Sequence, residues 1–229
     1  MIAGTTRLVA LLGHPVAHSL SPRMQNAAFA ALALDLAYVA FDVPPERLEA
    51  AVRGLAGLGF AGANITAPHK LAVAQLVEAE EPSVNTLLFG DGRIEGHSTD
   101  AAILAGLPAE RPVIVGGGGS AAAFSRAVPN ARRFERQGDW PPELDDADLV
   151  VNATPVTNDV LVRVGAGQVL VDLPYPGSAT AAAARDAGAT VYDGLDVLVA
   201  QGAASFELWT GLPAPVDVMR AAIRRYSEE

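Results

Sequence analysis

The stretch Val113-Ile-Val-Gly-Gly-Gly-Gly-Ser-Ala-Ala-Ala123 indicates the fold class of this chain. An apolar run ends in four glycines and continues into alanines, which is the order of a strand, a tight turn and a helix N-terminus. Gly116, Gly118 and Ala121 fit the G-x-G-x-x-G/A fingerprint, in which glycines let the backbone approach a pyrophosphate. A plain structural turn has the same local pattern, so the motif needs support from the rest of the chain.

Strand and helix patterns alternate after this turn. Strands are predicted at 113–115, 132–135, 149–152, 169–172 and 190–192, and helices at 120–128 and 179–187. This alternation predicts a parallel, doubly wound sheet.

The first hundred residues alternate in the same way, with one antiparallel excursion. Strands are predicted at 8–12, 37–43 and 62–66, helices at 21–34, 45–55 and 71–78, and a hairpin at 86–89 and 93–95 around Asp91-Gly92. Ser21 is the expected N-cap of the first helix, with Pro22 at its first position. The C-terminal segment 197–226 is expected to be helical.

Composition excludes several classes of protein. Half of the 229 residues are apolar and the mean hydropathy is +0.25, as in a packed globular protein. The net charge of −10, from 16 basic and 26 acidic residues, disfavours nucleic acid as a partner. Cysteine is absent, which excludes disulfides and thiolate metal sites. Since no signal-peptide pattern or bilayer-length apolar run occurs, we expect a cytoplasmic protein without membrane contact.

Short polar clusters follow several of the predicted strands. They comprise Ser19 and Ser21, and the segments 64–70, 83–86, 97–100 and 152–155. Ligands of open α/β sheets bind beyond the carboxyl ends of strands, so these groups suit a small polyhydroxylated anion. Each residue alone is more often a cap or turn residue; Lys70 alone is typical of a surface lysine, and Asp100 of a helix N-cap.

Taken in order along the chain, these blocks resemble the shikimate dehydrogenase family. The resemblance is carried by Gly13-His-Pro-Val-Ala-His-Ser-Leu-Ser-Pro22, Asn64-Ile-Thr-Ala-Pro-His-Lys70, Val84-Asn-Thr86, Gly96-His-Ser-Thr-Asp100, the glycine turn 116–119, Asn152-Ala-Thr-Pro155, Tyr175 and Gln201-Gly-Ala-Ala-Ser-Phe-Glu-Leu-Trp-Thr-Gly211. Many blocks in the same order indicate the family far more specifically than any single block does.

The resemblance implies an α/β fold with two lobes. One is an N-terminal substrate-binding and catalytic domain with a mainly parallel sheet (1–100 plus 194–229), and the other is a short Rossmann-like dinucleotide-binding domain (101–193). The implied reaction is the reversible NADP-dependent reduction of 3-dehydroshikimate to shikimate, in chorismate and aromatic amino acid biosynthesis. Lys70 and Asp100 would be the acid–base pair, since hydride leaves a secondary alcohol only as its proton is removed.

The resemblance also implies the remaining site residues and no metal. The substrate-binding residues would be Ser19, Ser21, Asn64, Thr66, Asn85, Tyr175 and Gln201. The cofactor-binding residues would be Gly116, Gly117, Gly118, Gly119, Ser120, Ala121, Glu135, Arg136, Asn152, Ala153, Thr154 and Gly194.

Three features depart from the family pattern. Gln25 stands where the family usually has histidine, and Ser98 where it has asparagine. The nucleotide-binding lobe is short, because the segment 136–140 runs directly into two prolines. Arg136 matches the family's arginine for the 2′-phosphate of NADP, whereas Glu135 lies where an acid binds the free ribose hydroxyl of NAD. We favour NADP, with NAD as the alternative.

Other functions fit parts of the sequence less well. A quinate or aminoshikimate dehydrogenase using NAD, or a related binding protein with weak turnover, stays open. A hydrolase is disfavoured because Gly118-Gly-Ser-Ala-Ala122 lacks the last glycine of a nucleophile elbow and no histidine follows. His14 and His18 do not predict a metal site, since Pro15 opposes a helix between them. We expect a monomer or a homodimer.

Overall fold

The structure, a computed structural model, describes residues 2–135, 140, 142–175 and 177–224. It divides the chain into two units, one of Met1–Thr99 with Val199–Glu229 and one of Asp100–Leu198. Within the described residues, no helix has the length and apolar character needed to cross a membrane.

The first unit is built on a mainly parallel sheet, which has six strands in the described residues. These are β1 (Arg7–Gly13), β2 (Leu36–Asp42), β3 (Gly62–Ile65), β4 (Glu78–Ala79), β5 (Thr86–Gly90) and β6 (Arg93–His97), in the spatial order β2-β1-β3-β5-β6-β4. β1 is parallel to β2 and β3, and β4 is parallel to β6, whereas β5 is antiparallel to β3 and β6. Asp91 and Gly92, both at positive φ, form the tight turn between β5 and β6, which confirms the predicted hairpin.

Helices pack their apolar faces on this sheet. They are α1 (Ser21–Ala31), α2 (Leu48–Gly57), which follows a 3₁₀ turn at Pro45–Arg47, and α3 (Lys70–Ala74). In α2 the buried residues Leu48, Val52 and Leu55 recur at helical spacing, and they join Leu12 of β1 and Ile65 of β3 in one core. This core holds the carboxyl ends of β1 and β3 in fixed positions.

Three helices of the first unit differ from their predicted bounds. The helix predicted at 45–55 begins as the 3₁₀ turn, and α2 itself spans Leu48–Gly57. Ser21 is the first helical residue of α1 with Leu20 at the cap position, so its prediction as N-cap was wrong. The helix ends at Ala31 rather than at 34, because Ala33 takes a positive φ that no helix continues. The helix predicted at 71–78 is limited to α3, since the chain then extends to pair β4 with β6.

The second unit contains a parallel sheet, to which the described residues contribute five strands. They are β7 (Pro112–Val115), β8 (Arg132–Phe134), β9 (Leu149–Asn152), β10 (Val169–Asp172) and β11 (Thr190–Tyr192), in the order β11-β10-β9-β7-β8. All the neighbouring strands are parallel. The helices α4 (Gly118–Ala127) and α5 (Ala179–Asp186) connect β7 to β8 and β10 to β11, and a 3₁₀ segment spans Asp100–Leu104.

Alternate residues of β7 point into two separate cores. Val113 and Val115 pack with Val150 and Leu170 in one cluster, and Ile114 packs with Phe124 of α4 in another. A strand buried on both faces needs an unbroken apolar run, and this explains why β9 and β10 have the predicted bounds. The edge strand β11 also has its predicted bounds, although its residues are exposed or half-buried. The predicted parallel, doubly wound sheet is confirmed.

The C-terminal segment, predicted to be helical over 197–226, contains two helices within the described residues. They are α6 (Gly194–Thr210) and α7 (Val216–Arg224). Gly211 has a positive φ, and Pro213 and Pro215 follow it within the break. A glycine at positive φ commonly ends a helix, and a proline cannot continue one because it lacks the amide hydrogen that the helix requires.

Candidate active site

The glycine turn connects β7 to α4 in the conformation that its residues require. Gly116 has φ of 124°, and a Cβ there would lie 3.0 Å from the backbone carbonyl carbon and oxygen of Ala153. Gly118 also has a positive φ, of 81°. The helix starts at Gly118, two residues before its predicted start, so Gly119, Ser120 and Ala121 lie in its first turn. The turn therefore presents bare backbone at a helix N-terminus, where an anion is favoured.

A cavity of about 330 Å³ opens beside this turn. It is lined by Val115, Gly116, Gly117, Glu135, Trp140, Ala153, Thr154, Pro155, Val156 and Leu161. Five of these were predicted as cofactor-binding residues, namely Gly116, Gly117, Glu135, Ala153 and Thr154. The predicted residue Gly194 begins α6, and Arg136 lies outside the described residues.

Glu135 and Arg133 form an ion pair at the end of β8. The Glu135 carboxylate lies over Gly117, about 3.5 Å from where a Cβ of that residue would stand. Arg133 Nη2 is 2.8 Å from Glu135 Oε1, and Arg133 Nε donates to the Gly116 carbonyl at 3.3 Å. Glu135 was predicted as a cofactor-binding residue, whereas Arg133 was not among the predicted site residues.

A buried network fixes the loop that follows β9. Asn152 Nδ2 donates to Asp172 Oδ1 at 2.7 Å, and Asn152 Oδ1 accepts from the Thr154 hydroxyl at 2.8 Å. Ser178 Oγ donates to the other oxygen of Asp172 at 2.7 Å. Burial raises the pKa of Asp172, and these two donors lower it only in part. The predicted cofactor residues Asn152 and Thr154 are therefore oriented by a carboxyl that the sequence did not single out.

A second polar network lies in the first unit, centred on Asn64. Its Oδ1 accepts from the Tyr38 hydroxyl at 2.8 Å, and its Nδ2 lies 2.9 Å from the Asn85 carbonyl oxygen. The same Nδ2 is 3.1 Å from Thr86 Oγ1 and 3.0 Å from Ser205 Oγ. Protein groups thus occupy both ends of the buried Asn64 amide, so this residue orients its neighbours.

Asn85 links this network to α6. Its Oδ1 accepts from the Thr99 backbone amide at 2.8 Å, and its Nδ2 donates to Gln201 Oε1 at 3.3 Å. Ser205, one turn after Gln201, lies 3.0 Å from Thr99 Oγ1 and donates to the Gln201 carbonyl at 3.0 Å. The structure therefore brings together three predicted substrate residues, Asn64, Asn85 and Gln201.

The other predicted substrate residues of the first unit occupy nearby element ends. Ser19 precedes α1 and accepts from the Ser21 backbone amide at 3.3 Å, and Ser21 itself is buried. Thr66 follows β3, with its methyl group against Gly13. Lys70 is the first residue of α3 and is half-buried, and its carbonyl accepts from the Val84 amide at 3.0 Å.

Of the predicted catalytic and substrate-binding residues, Asp100 and Tyr175 belong to the second unit. Asp100 is buried at the start of the 3₁₀ segment, and Tyr175 follows β10 and is half-buried. Because Lys70 lies in the first unit, the catalytic pairing of Lys70 with Asp100 stays a prediction.

Sequence reasoning missed several residues that hold the site. Tyr38, Thr86, Thr99 and Ser205 complete the network around Asn64 and Asn85, and Asp172 orients Asn152. Single buried hydroxyls carry no pattern in a sequence. The one available signal is the spacing of Gln201 and Ser205, which places both on the same face of a helix.

The two residues that depart from the family pattern both carry a buried polar atom without a partner among the described residues. These atoms are Gln25 Oε1 and Ser98 Oγ. The other end of the Gln25 amide donates to the Gly202 carbonyl of α6 at 2.9 Å.

No group of three or more histidine and acidic side chains in the described residues could hold a metal ion. His14 Nδ1 instead lies 2.6 Å from Asp42 Oδ1, and His69 Nε2 lies 2.7 Å from the Val43 carbonyl.

Comparisons with known proteins agree on one family. A family model described as the shikimate dehydrogenase substrate binding domain matches residues 11–87, and one described as the shikimate 5′-dehydrogenase C-terminal domain matches residues 194–224. The shikimate dehydrogenase (NADP(+)) of Methanopyrus kandleri is 42% identical over 275 aligned positions, which cover 95% of each chain. Since 275 positions exceed the 229 residues here, that relative has internal residues that this chain lacks.

Solved structures give the same result. A shikimate dehydrogenase in complex with NADP+ superposes with a TM-score of 0.91 at 29% identity, covering 100% of this chain and 98% of that one. The shikimate 5-dehydrogenase of Thermus thermophilus, in complex with NADP(H) and shikimate, has a TM-score of 0.83 at 31% identity and covers 96% of this chain and 99% of its own. The predicted two-lobed α/β fold class is therefore confirmed.

Proposed function

Because the chain belongs to the shikimate dehydrogenase family, we propose that it catalyses the reversible NADP-dependent reduction of 3-dehydroshikimate to shikimate. The observation that carries this proposal is the convergence of Asn64, Asn85 and Gln201 in one buried network. Relatives named shikimate dehydrogenase (NADP(+)) support the reaction and the cofactor.

The glycine turn and the start of α4 in the second unit have the geometry that a dinucleotide-binding site requires. Gly116 could not carry a side chain beside Ala153, and Gly117 keeps bare backbone facing the cavity. The N-terminus of α4 supplies amide groups that a pyrophosphate needs. When bound there, NADP supplies or accepts the hydride.

The first unit binds and orients the substrate in this proposal. Ser19 and Ser21 bind the carboxylate of shikimate with their hydroxyls. Asn85, held by Thr99, and Gln201 on α6 bind the ring hydroxyls, with Thr66 beside them. Asn64 positions these groups through its own hydrogen bonds to Tyr38, Thr86 and Ser205.

Lys70 and Asp100 carry the proton transfer in this proposal. Oxidation of a secondary alcohol leaves negative charge on its oxygen, which an ammonium group stabilises as the hydroxyl proton is removed. Reduction of the ketone needs that proton returned to the same oxygen. Such acid–base help typically contributes about 10²–10⁴-fold to a rate.

Replacement of Lys70 separates an enzyme from a binding protein with weak turnover. We expect wild-type protein to reduce NADP+ in the presence of shikimate, and Lys70→Ala to lose about 10²-fold or more of kcat. Shikimate binding, measured by calorimetry, should persist in the variant, since the serines and Gln201 are unchanged. Equal turnover in both proteins would contradict the role of Lys70, and shikimate binding without turnover in the wild type would favour the binding protein.

A further inference from the structure

β8 begins with two arginines, Arg132 and Arg133, whose side chains have different partners. Arg133 pairs with Glu135 and donates to Gly116 of the glycine turn, whereas Arg132 pairs with Asp146. Successive side chains of a strand alternate between its faces, so the backbone itself imposes this difference. Arg133 thus contacts two residues that line the cavity, Glu135 and Gly116.

Glu135 stands where the adenosine ribose lies in folds of this type. An acid at the end of the second strand of such a sheet binds free ribose hydroxyls. Here the carboxylate faces Gly117 and lines the cavity, so it is placed for that role. A phosphate on the 2′-hydroxyl would meet the same carboxylate and be repelled.

The cation that offsets this repulsion is already in place. Arg133 Nη2 lies 2.8 Å from Glu135 Oε1, and both side chains are partly exposed to solvent. A partly exposed ion pair is weak, so a doubly charged phosphate can displace the carboxylate from the guanidinium. The planar fork of arginine suits phosphate oxygens as well as it suits a carboxylate.

We propose that Arg133 binds the 2′-phosphate of NADP, and that Glu135 holds its guanidinium in position until the phosphate displaces it. The same carboxylate serves the ribose hydroxyls of NAD, so the pair sets the preference between the two cofactors. This inference rests on the proposed function for the cofactor, but it concerns residues other than Arg136, which the sequence motif predicts and which lies outside the described residues.

Binding of nucleotide fragments tests this inference without turnover. The full chain is titrated calorimetrically with 2′,5′-ADP and with 5′-AMP, which differ by the 2′-phosphate, and cavity occupancy is followed by Trp140 fluorescence. The proteins compared are wild type, R133Q, E135Q and the double variant. R132Q is the matched control, because Arg132 is the neighbouring arginine on the other face of β8.

We expect the variants to differ in their affinity for the fragment that carries the 2′-phosphate and not in their affinity for 5′-AMP. R133Q should lose about tenfold or more of its 2′,5′-ADP affinity, the size expected for a charge-assisted hydrogen bond, and retain 5′-AMP affinity. E135Q should bind 2′,5′-ADP more tightly than the wild type. R132Q should bind both fragments as the wild type does.

The double variant distinguishes direct contact from simple neutralisation of Glu135. If Arg133 contacts the phosphate, R133Q/E135Q binds 2′,5′-ADP about tenfold more weakly than E135Q. Equal affinity of those two proteins would overturn the inference, as would an unchanged R133Q. Failure of shikimate turnover alongside the expected fragment pattern would contradict the proposed reaction and leave this inference intact.

Discussion

Asp172 is a buried carboxyl that positions Asn152 and contributes a pH dependence to stability. Burial raises its pKa above the ordinary value of 3.8, despite hydrogen bonds from Ser178 and Asn152. A raised folded-state pKa gives a contribution to stability that is full below the unfolded pKa. That contribution is lost as pH rises through the folded pKa, because the ionised form is disfavoured in the interior.

Asp172→Asn should therefore gain stability relative to the wild type as pH rises. The asparagine stays neutral and can still accept from Asn152. We expect the difference in Tm between variant and wild type to shift in favour of the variant between about pH 3 and about pH 7. Thermal unfolding across this range measures it, with Asp145→Asn at an exposed aspartate as control. A difference that is constant with pH would contradict this account.

Resemblance to a family identified individual residues better than local pattern did. Asn64, Asn85 and Gln201 were predicted from their blocks and lie in one network. Ser205 was missed, because its role depends on which strands lie beside it. A strand neighbour is set by sheet order, which a local window of sequence does not contain.

The helix α6 brings Gln201 and Ser205 to the ends of β3 and β5. Ser205 is fully buried, and its hydroxyl lies within hydrogen-bond distance of groups on Asn64, Thr86 and Thr99, besides the Gln201 carbonyl. This one hydroxyl therefore ties a helix to three adjacent segments of the sheet.

Ser205→Ala should destabilise the protein by about 1–3 kcal/mol, the cost of leaving buried polar partners unsatisfied. Ser125→Ala on α4 is the matched control. Ser125 also donates to the carbonyl four residues earlier, at 2.8 Å, but it is only half-buried. Urea unfolding monitored by circular dichroism gives both free energies. Equal losses in the two variants would show that the contacts with the sheet contribute nothing.

Strands were predicted more accurately than helix ends. β9 and β10 match their predicted bounds because an apolar run buried on both faces begins and ends sharply. The ends of α1 and α3 were wrong because a positive φ at Ala33 and the pairing of β4 with β6 decide them. The first cause is a local backbone conformation and the second is a tertiary contact. Neither alters the apolar periodicity of the sequence, from which the helices were predicted.

The whole chain has the fold of the shikimate dehydrogenase family, with fewer residues than its relatives. Two connections of the second unit, from β8 to β9 and from β9 to β10, contain no helix in their described residues, although parallel strands are usually joined by one. The alignment with the Methanopyrus kandleri relative spans 275 positions, more than the 229 residues of this chain. Trp140, within the first of these connections, packs on the apolar core and lines the cavity.

The oxidation of shikimate by the purified protein is the decisive measurement of the proposed activity. Reduced nicotinamide is followed by absorbance with NADP+ and NAD+ in parallel, and with quinate in place of shikimate. We expect the highest kcat/KM with shikimate and NADP+. Absence of turnover with shikimate and either cofactor, from protein that is folded by circular dichroism, would contradict it.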